Sequence, residues 1–204
     1  SINFTHEFKN KGNIKMDFQK EKSKEIEIGI ITNIQSVPNF IKYLGERVNT
    51  NENQDSELYK IDYVLPIGEE GQFEAGFRRS NQHQKIDYLV EKEDNLGNYI
   101  SDKNLSNTLL YNEKVNAYYT QYGNKKNNFS FLLGLRFEES ITNVTQVVNG
   151  DNTKKNYNDL FPTLNLALEL KEDETITLGY NRRIRRARSY FINPFPSRSS
   201  ITNI

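Results

Sequence analysis

The sequence has no cysteine and no tryptophan, and only one methionine among 204 residues. Without cysteine there is no disulfide, no thiolate nucleophile and no sulfur ligand for a metal, and the compartment stays open. Net charge is missing as well. Lysine and arginine total 27 against 27 aspartate and glutamate, so no global field selects nucleic acid or an acidic partner. Long hydrophobic runs are also absent: nowhere do about 18 apolar residues follow one another, which excludes a transmembrane helix. It does not exclude a membrane barrel, whose strands cross with about ten alternating residues. The chain opens on a strand pattern at Ser1 with no signal peptide and stops at Ile204 in a loop-like region, so it reads as a piece of a longer protein.

What is present is alternation. Hydrophobic content is 35%, low for a globular core, yet aromatics reach 12% as phenylalanine and tyrosine. The clearest unit lies in residues 161–186. Leu164, Leu166, Leu168 and Leu170 share one parity, and Asn165, Ala167 and Glu169 the other. A polar turn at Lys171-Glu172-Asp173-Glu174 reverses the chain, and Ile176, Leu178 and Tyr180 return on one face. Period-2 spacing of this kind is the mark of a strand with one apolar face.

The same unit recurs along the chain. Ile2, Phe4, His6 and Phe8 begin it, followed by Ile14, Met16 and Phe18, then Ile26, Ile28 and Ile30 beyond a charged patch. Tyr59, Ile61, Tyr63 and Leu65 pair in pattern with Phe73, Ala75 and Phe77. Residues 109–122 nearly fit a helix, but their aromatics favour a strand. Phe129, Phe131, Leu133, Leu135 and Phe137 give the cleanest apolar face. Short connections at 9–13, 68–71, 123–127 and 171–174 alternate with long polar ones at about 33–55, 82–108 and 148–158. A β-sandwich has no need of that order, whereas an up-and-down transmembrane barrel has tight turns on one side and long loops on the other. The expected fold is all-β: an antiparallel meander of about eight strands forming part of a transmembrane barrel.

Specific motifs carry a resemblance. Leu160-Phe161-Pro162-Thr163, the leucine strand, the run from Leu178-Gly179-Tyr180-Asn181 through the arginines to Arg186, and Asn193-Pro194-Phe195 resemble the C-terminal β-barrel domain of TonB-dependent outer-membrane receptors. Within that group they resemble the outer membrane protein β-barrel branch, as do Tyr111-Asn112-Glu113, Gly134-Leu135-Arg136-Phe137-Glu138 and Phe73-Glu74-Ala75-Gly76. Ala187 departs from the pattern, where the family usually has proline. The resemblance implies that residues 1–204 are a partial barrel domain of a Gram-negative outer-membrane nutrient receptor, with plug and remaining strands outside the chain. Its implied partners are outer-membrane lipid, the TonB system through the plug, and a small-molecule or polymer ligand. The competing expectation is a soluble or surface-exposed β-sandwich binding module.

Candidate sites are few. Arg182, Arg183, Arg185, Arg186 and Arg188 form the densest charge run. Parity assigns Arg183 and Arg185 to the lumen and Arg182 and Arg186 to the lipid side. With about 2.3 Å of climb per tilted residue, Arg182 falls near the edge of an apolar band about 25 Å tall. The cluster suits an anion, either a lipid phosphate or a ligand group; the plainer reading is pairing with Glu138, Glu139 or Glu169. His6 and His83 lack a second ligand at metal spacing, and Asp151-Asn152-Thr153-Lys154 lacks the glycine and closing glutamate of a Ca²⁺ loop. No arrangement points to catalysis or to a cofactor. Freed from the membrane, such a wall is expected to fold over on itself or self-associate, with residues 129–137 and 164–170 in a shared interior.

Overall fold

The computed structural model describes residues 1–184 and residue 195, apart from 33, 149 and 172. It contains β1 (Ile2–Glu7), β2 (Asn13–Ile31), β3 (Ile34–Gln35), β4 (Ile41–Lys42), β5 (Glu46–Ile67), β6 (Gly71–Glu93), β7 (Tyr99–Ser101), β8 (Asn107–Lys126), β9 (Phe129–Gln146), β10 (Asp151–Lys171) and β11 (Glu174–Asn181). One sheet runs in the order β1-β2-β5-β6-β8-β9-β10-β11, every neighbour antiparallel. β7 adds to β6 beyond the end of its pairing with β8, and β3 and β4 form a separate small hairpin. The meander of eight long strands is therefore as the alternation predicts. The β-sandwich alternative is not: a single layer forms, with no second sheet packed on it among the described residues.

The register explains the single layer. Phe4, Met16, Ile61, Phe77, Tyr118, Phe137 and Leu160 are successive cross-strand partners, one apolar row spanning seven strands. A neighbouring row on the same face joins Leu65, Phe73, Tyr122, Leu133, Leu164 and Tyr180. Between them, on the opposite face, run Lys15, Asp62, Gly76, Tyr119, Arg136 and Phe161. Directly opposed residues in an antiparallel ladder share a face, so one side is an apolar band and the other is polar. Nothing among the described residues covers the band: Leu133 is 50% exposed and Leu178 61%. The faces of 129–137 and 164–170 are not enclosed by any folding over of the described residues. Burial lies instead on the polar side, where Val90 and Leu109 are fully enclosed.

The strands do not stand upright. The row that starts at Asn13, the first residue of β2, passes Val64, Gln121 and Thr163. These lie progressively farther from their own tight turns, since β5 ends at Ile67, β8 at Lys126 and β10 at Lys171. The stagger is a little over one residue per strand, equivalent to a tilt of about 40° for strands about 4.8 Å apart. Closed barrels require a tilt of that size.

Two expectations about connections need correction. The long polar stretches are mostly strand: β2 continues to Ile31, β5 starts at Glu46, β6 reaches Glu93 and β10 starts at Asp151. The outward face turns polar there, which ends the long apolar alternation of the band, although Ile86, Tyr88 and Val90 still alternate on the inner face of β6. The backbone ladder, which is indifferent to side-chain polarity, continues. The third tight turn also falls at Asn127 and Asn128, not at 123–127, with Asn127 at φ 57°. Asparagine tolerates that left-handed conformation.

Gly76 shows why the ladder needs a small residue in the polar row. A Cβ there would collide with the Tyr119 ring and come within 2.7 Å of the Ile61 carbonyl oxygen. The Tyr119 ring lies over the glycine, and its hydroxyl bonds Asp62 on the next strand. Gly76→Val should cost about 1–3 kcal/mol by overpacking, and adding Tyr119→Ala should recover part of the loss in folding titrations into lipid. A Gly76→Val protein as stable as its parent would contradict this packing.

The faces make a second prediction. Leu166→Arg, mid-band on β10, should cost about 2–4 kcal/mol in lipid, and Asn165→Arg far less. Equal losses in the same titration would sink the assignment of faces.

Candidate functional site: the polar face of the wall

The inward rows are charged, and their charges are largely met within the wall. Asp62 pairs with Lys60 and accepts from Tyr119. Arg136 Nε bonds Glu138 Oε1 at 2.7 Å, with its guanidinium 5.7 Å from the Tyr119 ring centroid. Gln121 donates to Glu74 at 2.7 Å, and Lys125 reaches across β9 to Glu169 at 2.7 Å. This is how a wetted surface is built: pairs along a strand, such as Lys60–Asp62 and Arg136–Glu138, and pairs between strands satisfy one another without a dry core.

The sequence-identified arginines divide. β11 ends at Asn181, so Arg182 leaves the alternation that would have aimed it at lipid. Its backbone N–H donates to Pro162 at 3.2 Å, and its guanidinium lies 3.4 Å from Asp159 Oδ1 and 6.0 Å from the Phe161 ring centroid. Asp159 and Phe161 are both on the polar face, so Arg182 belongs to that side. Arg183 borders the same cleft of about 260 Å³, together with Arg136, Glu138, Phe161 and Thr163, and makes no ion pair among the described residues. Arg185 and Arg186 lie outside the described residues, as does Arg188. Of the carboxylates expected to meet the arginines, Glu138 is held by Arg136 and Glu169 by Lys125. Asp159 was not foreseen, because it falls between the stretch read as loop, 148–158, and the motif that begins at Leu160. No cluster of three or more acidic or histidine side chains suited to a metal occurs among the described residues. His6 packs edge-on to Phe8, and His83 Nδ1 bonds Asn112.

Away from the tight turns the polar face becomes apolar. Ile86, Val90, Leu109 and Tyr111 are buried there, and Tyr88 stacks on Phe195 with centroids 4.7 Å apart and planes 13° from parallel. An aromatic ledge therefore rims this end of the inner surface.

Residues 2–204 match the outer membrane protein beta-barrel family. The chain belongs to that family. Its place is the outer membrane of a Gram-negative bacterium, with the apolar band in lipid and the polar rows toward the lumen. No curated protein matches the chain. Among solved structures it is similar to the unliganded ferric citrate transporter FecA, with a TM-score of 0.51 at 13% identity. That likeness covers 81% of this chain and 26% of the transporter, and it shows a shared barrel fold.

In barrels of this kind tight turns face the periplasm and longer loops the exterior. The loop between β6 and β8 is accordingly outside, and it is tightly organised. Asp94 Oδ1 accepts from the N–H groups of Leu96 and Asn98, each at 2.8 Å, and Gly97 supplies φ 83°. Asp102 binds Lys92 Nζ at 2.8 Å and the Asn104 N–H at 2.9 Å, while its own N–H donates to Val90. The Asn98 backbone N–H holds the Asp94 carboxyl below its ordinary range. Lys92 does the same first for Asp102, aided by the Asn104 N–H.

A depressed folded-state pKa contributes stability that is present above the unfolded value and lost as pH falls through the folded one. Loop order in residues 94–106 should hold at neutral pH and decline below about pH 4. Hydrogen exchange on the reconstituted protein measures this, and Asp94→Asn with Asp102→Asn should flatten the profile. Protection independent of pH in the unaltered protein would be the contrary result.

Proposed function

We propose that this chain forms wall and extracellular loops of a TonB-dependent outer-membrane transporter for nutrient uptake. The observation that carries the reading is the sidedness of one tilted sheet, apolar outward and charged inward. A wall of this kind encloses a polar passage instead of a packed core. The family assignment and the fold shared with a ferric citrate transporter support it. So does the sequence resemblance to TonB-dependent receptors.

In the intact protein, loops at the outer end capture a small-molecule or polymer ligand. Energy from the inner membrane, passed through TonB to a plug, then opens the passage. Arg183, beside the inward cleft, is the wall's cationic contribution to an anionic ligand or to the plug. Outside a membrane, the bare band and the unpaired edges of β1 and β11 would drive association.

The test is uptake by cells that carry or lack the gene, screened over chelated metals, cofactors and glycans, with and without a proton uncoupler. A nutrient whose gene-dependent uptake stops on uncoupling is the expected result. Gene-dependent uptake that persists after uncoupling would point to a passive pore and overturn the TonB-dependent part.

A further inference from the structure

On the lipid-facing side, the apolar band gives way to a polar depression instead of a flat charged rim. Two rows of cross-strand partners form it, one running from Lys20 through Glu57 to Ile141, the other from Asp55 through His83 to Asn143. Together they line a hollow of about 460 Å³ spanning five strands. Apart from Gln82 and Glu113, its lining residues share the parity of the apolar band, so the hollow opens outward, away from the lumen. Tilted strands give a barrel a waisted shape, and such a surface is concave along the axis on its outside.

Height decides what can reach it. The hollow begins beyond Tyr59, Phe77, Tyr118 and Phe137, which end the band on their strands. At about 2.3–2.7 Å of climb per residue it lies roughly 5–15 Å past the hydrocarbon edge. The headgroup layer of an ordinary phospholipid is only about 5–8 Å deep per leaflet. The hollow therefore extends farther than a single phosphodiester and fits a headgroup of several sugar units.

Its chemistry fits the same class. The outward carboxylates of the hollow are met by lysines, Glu57 by Lys20 at 2.7 Å and Asp55 by Lys22 at 3.3 Å, but Lys114 makes no ion pair among the described residues. Beside it lie the amides of Asn81, Asn112 and Asn143, and His83, bonded to Asn112. The Asn143 Oδ1 is buried without a hydrogen-bond partner, an acceptor suited to a hydroxyl. One available ammonium among amides suits a phosphate on a hydroxyl-rich body. Below it, past the row of Arg79 and Asn116, Phe77 and Tyr118 pack with ring centroids 5.1 Å apart, an apolar bed for acyl chains.

We propose that this hollow binds the phosphorylated saccharide headgroup of an outer-leaflet glycolipid, with Lys114 on a phosphate and Asn112 and Asn143 on sugar hydroxyls. The site rests on the outer-membrane placement and not on the transport reading, so uptake assays and lipid assays fail independently.

The experiment uses the full protein purified in mild detergent, offered rough-type lipopolysaccharide or phosphatidylglycerol, with retained lipid counted by native mass spectrometry. Lys114→Glu should lower lipopolysaccharide retention at least about tenfold, the effect expected of losing a charge-assisted contact. Lys114→Gln serves if that variant does not fold, and Lys125→Glu on the inward face should retain lipid normally. Phosphatidylglycerol should bind at least about tenfold more weakly than lipopolysaccharide and should not discriminate between the variants. Undiminished lipopolysaccharide retention in a folded Lys114 variant, or equal binding of both lipids, would overturn the proposal.

Discussion

In a bilayer no water is available to pair with a backbone amide, and every N–H and C=O in the hydrocarbon must find a partner in the protein. That constraint shapes this molecule more than any side chain does. It favours one continuous antiparallel ladder, makes interruptions costly, and leaves side chains free to differ completely on the two faces. Proline shows how tightly the rule holds: Pro162 lies inside β10, and its carbonyl still accepts from the Arg182 N–H at 3.2 Å. The glycines at 76 and 71 answer the same demand, since side chains there would strike a neighbouring ring or carbonyl.

Within the band the sequence is almost a transcript of the structure. Leu164, Leu166 and Leu168 pair with Leu133, Phe131 and Phe129 as the alternation implies, because lipid on one side and water on the other impose opposite polarity on successive residues. Outside the band the outward face leaves the hydrocarbon, and the long apolar alternation that marks a strand ends. Residues 82–93 and 151–158 therefore read as loops although they are strand. Arg182 failed for a related reason: parity arguments assume that the strand continues, and β11 stops one residue earlier. Its partner Asp159 follows directly on that featureless stretch, ahead of the first recognisable motif residue, Leu160. The residues around Lys114 were equally mute. Nothing in a run such as Asn112-Glu113-Lys114 marks which members share a hollow, since that depends on register across five strands.

The two surfaces ask different things of charge. Inside, Arg136 with Glu138 and Lys125 with Glu169 neutralise one another, so the lining is hydrated without being strongly attractive to ions of either sign. Outside, just above the band, Lys20 and Glu57 do likewise but Lys114 does not. Burial follows a third logic. It collects at the outer end of the inner face, around Val90, Leu109 and the Tyr88–Phe195 stack.

The regular stagger of the strands has an evolutionary corollary. A strand added singly would reverse the direction of its neighbour and leave its exit on the wrong side of the membrane. A hairpin restores the direction and, displaced by about two residues, also preserves the slant. Duplication or loss of whole hairpins can therefore change the girth of such a cylinder while leaving its pitch, and the depth at which its apolar belt meets lipid, untouched.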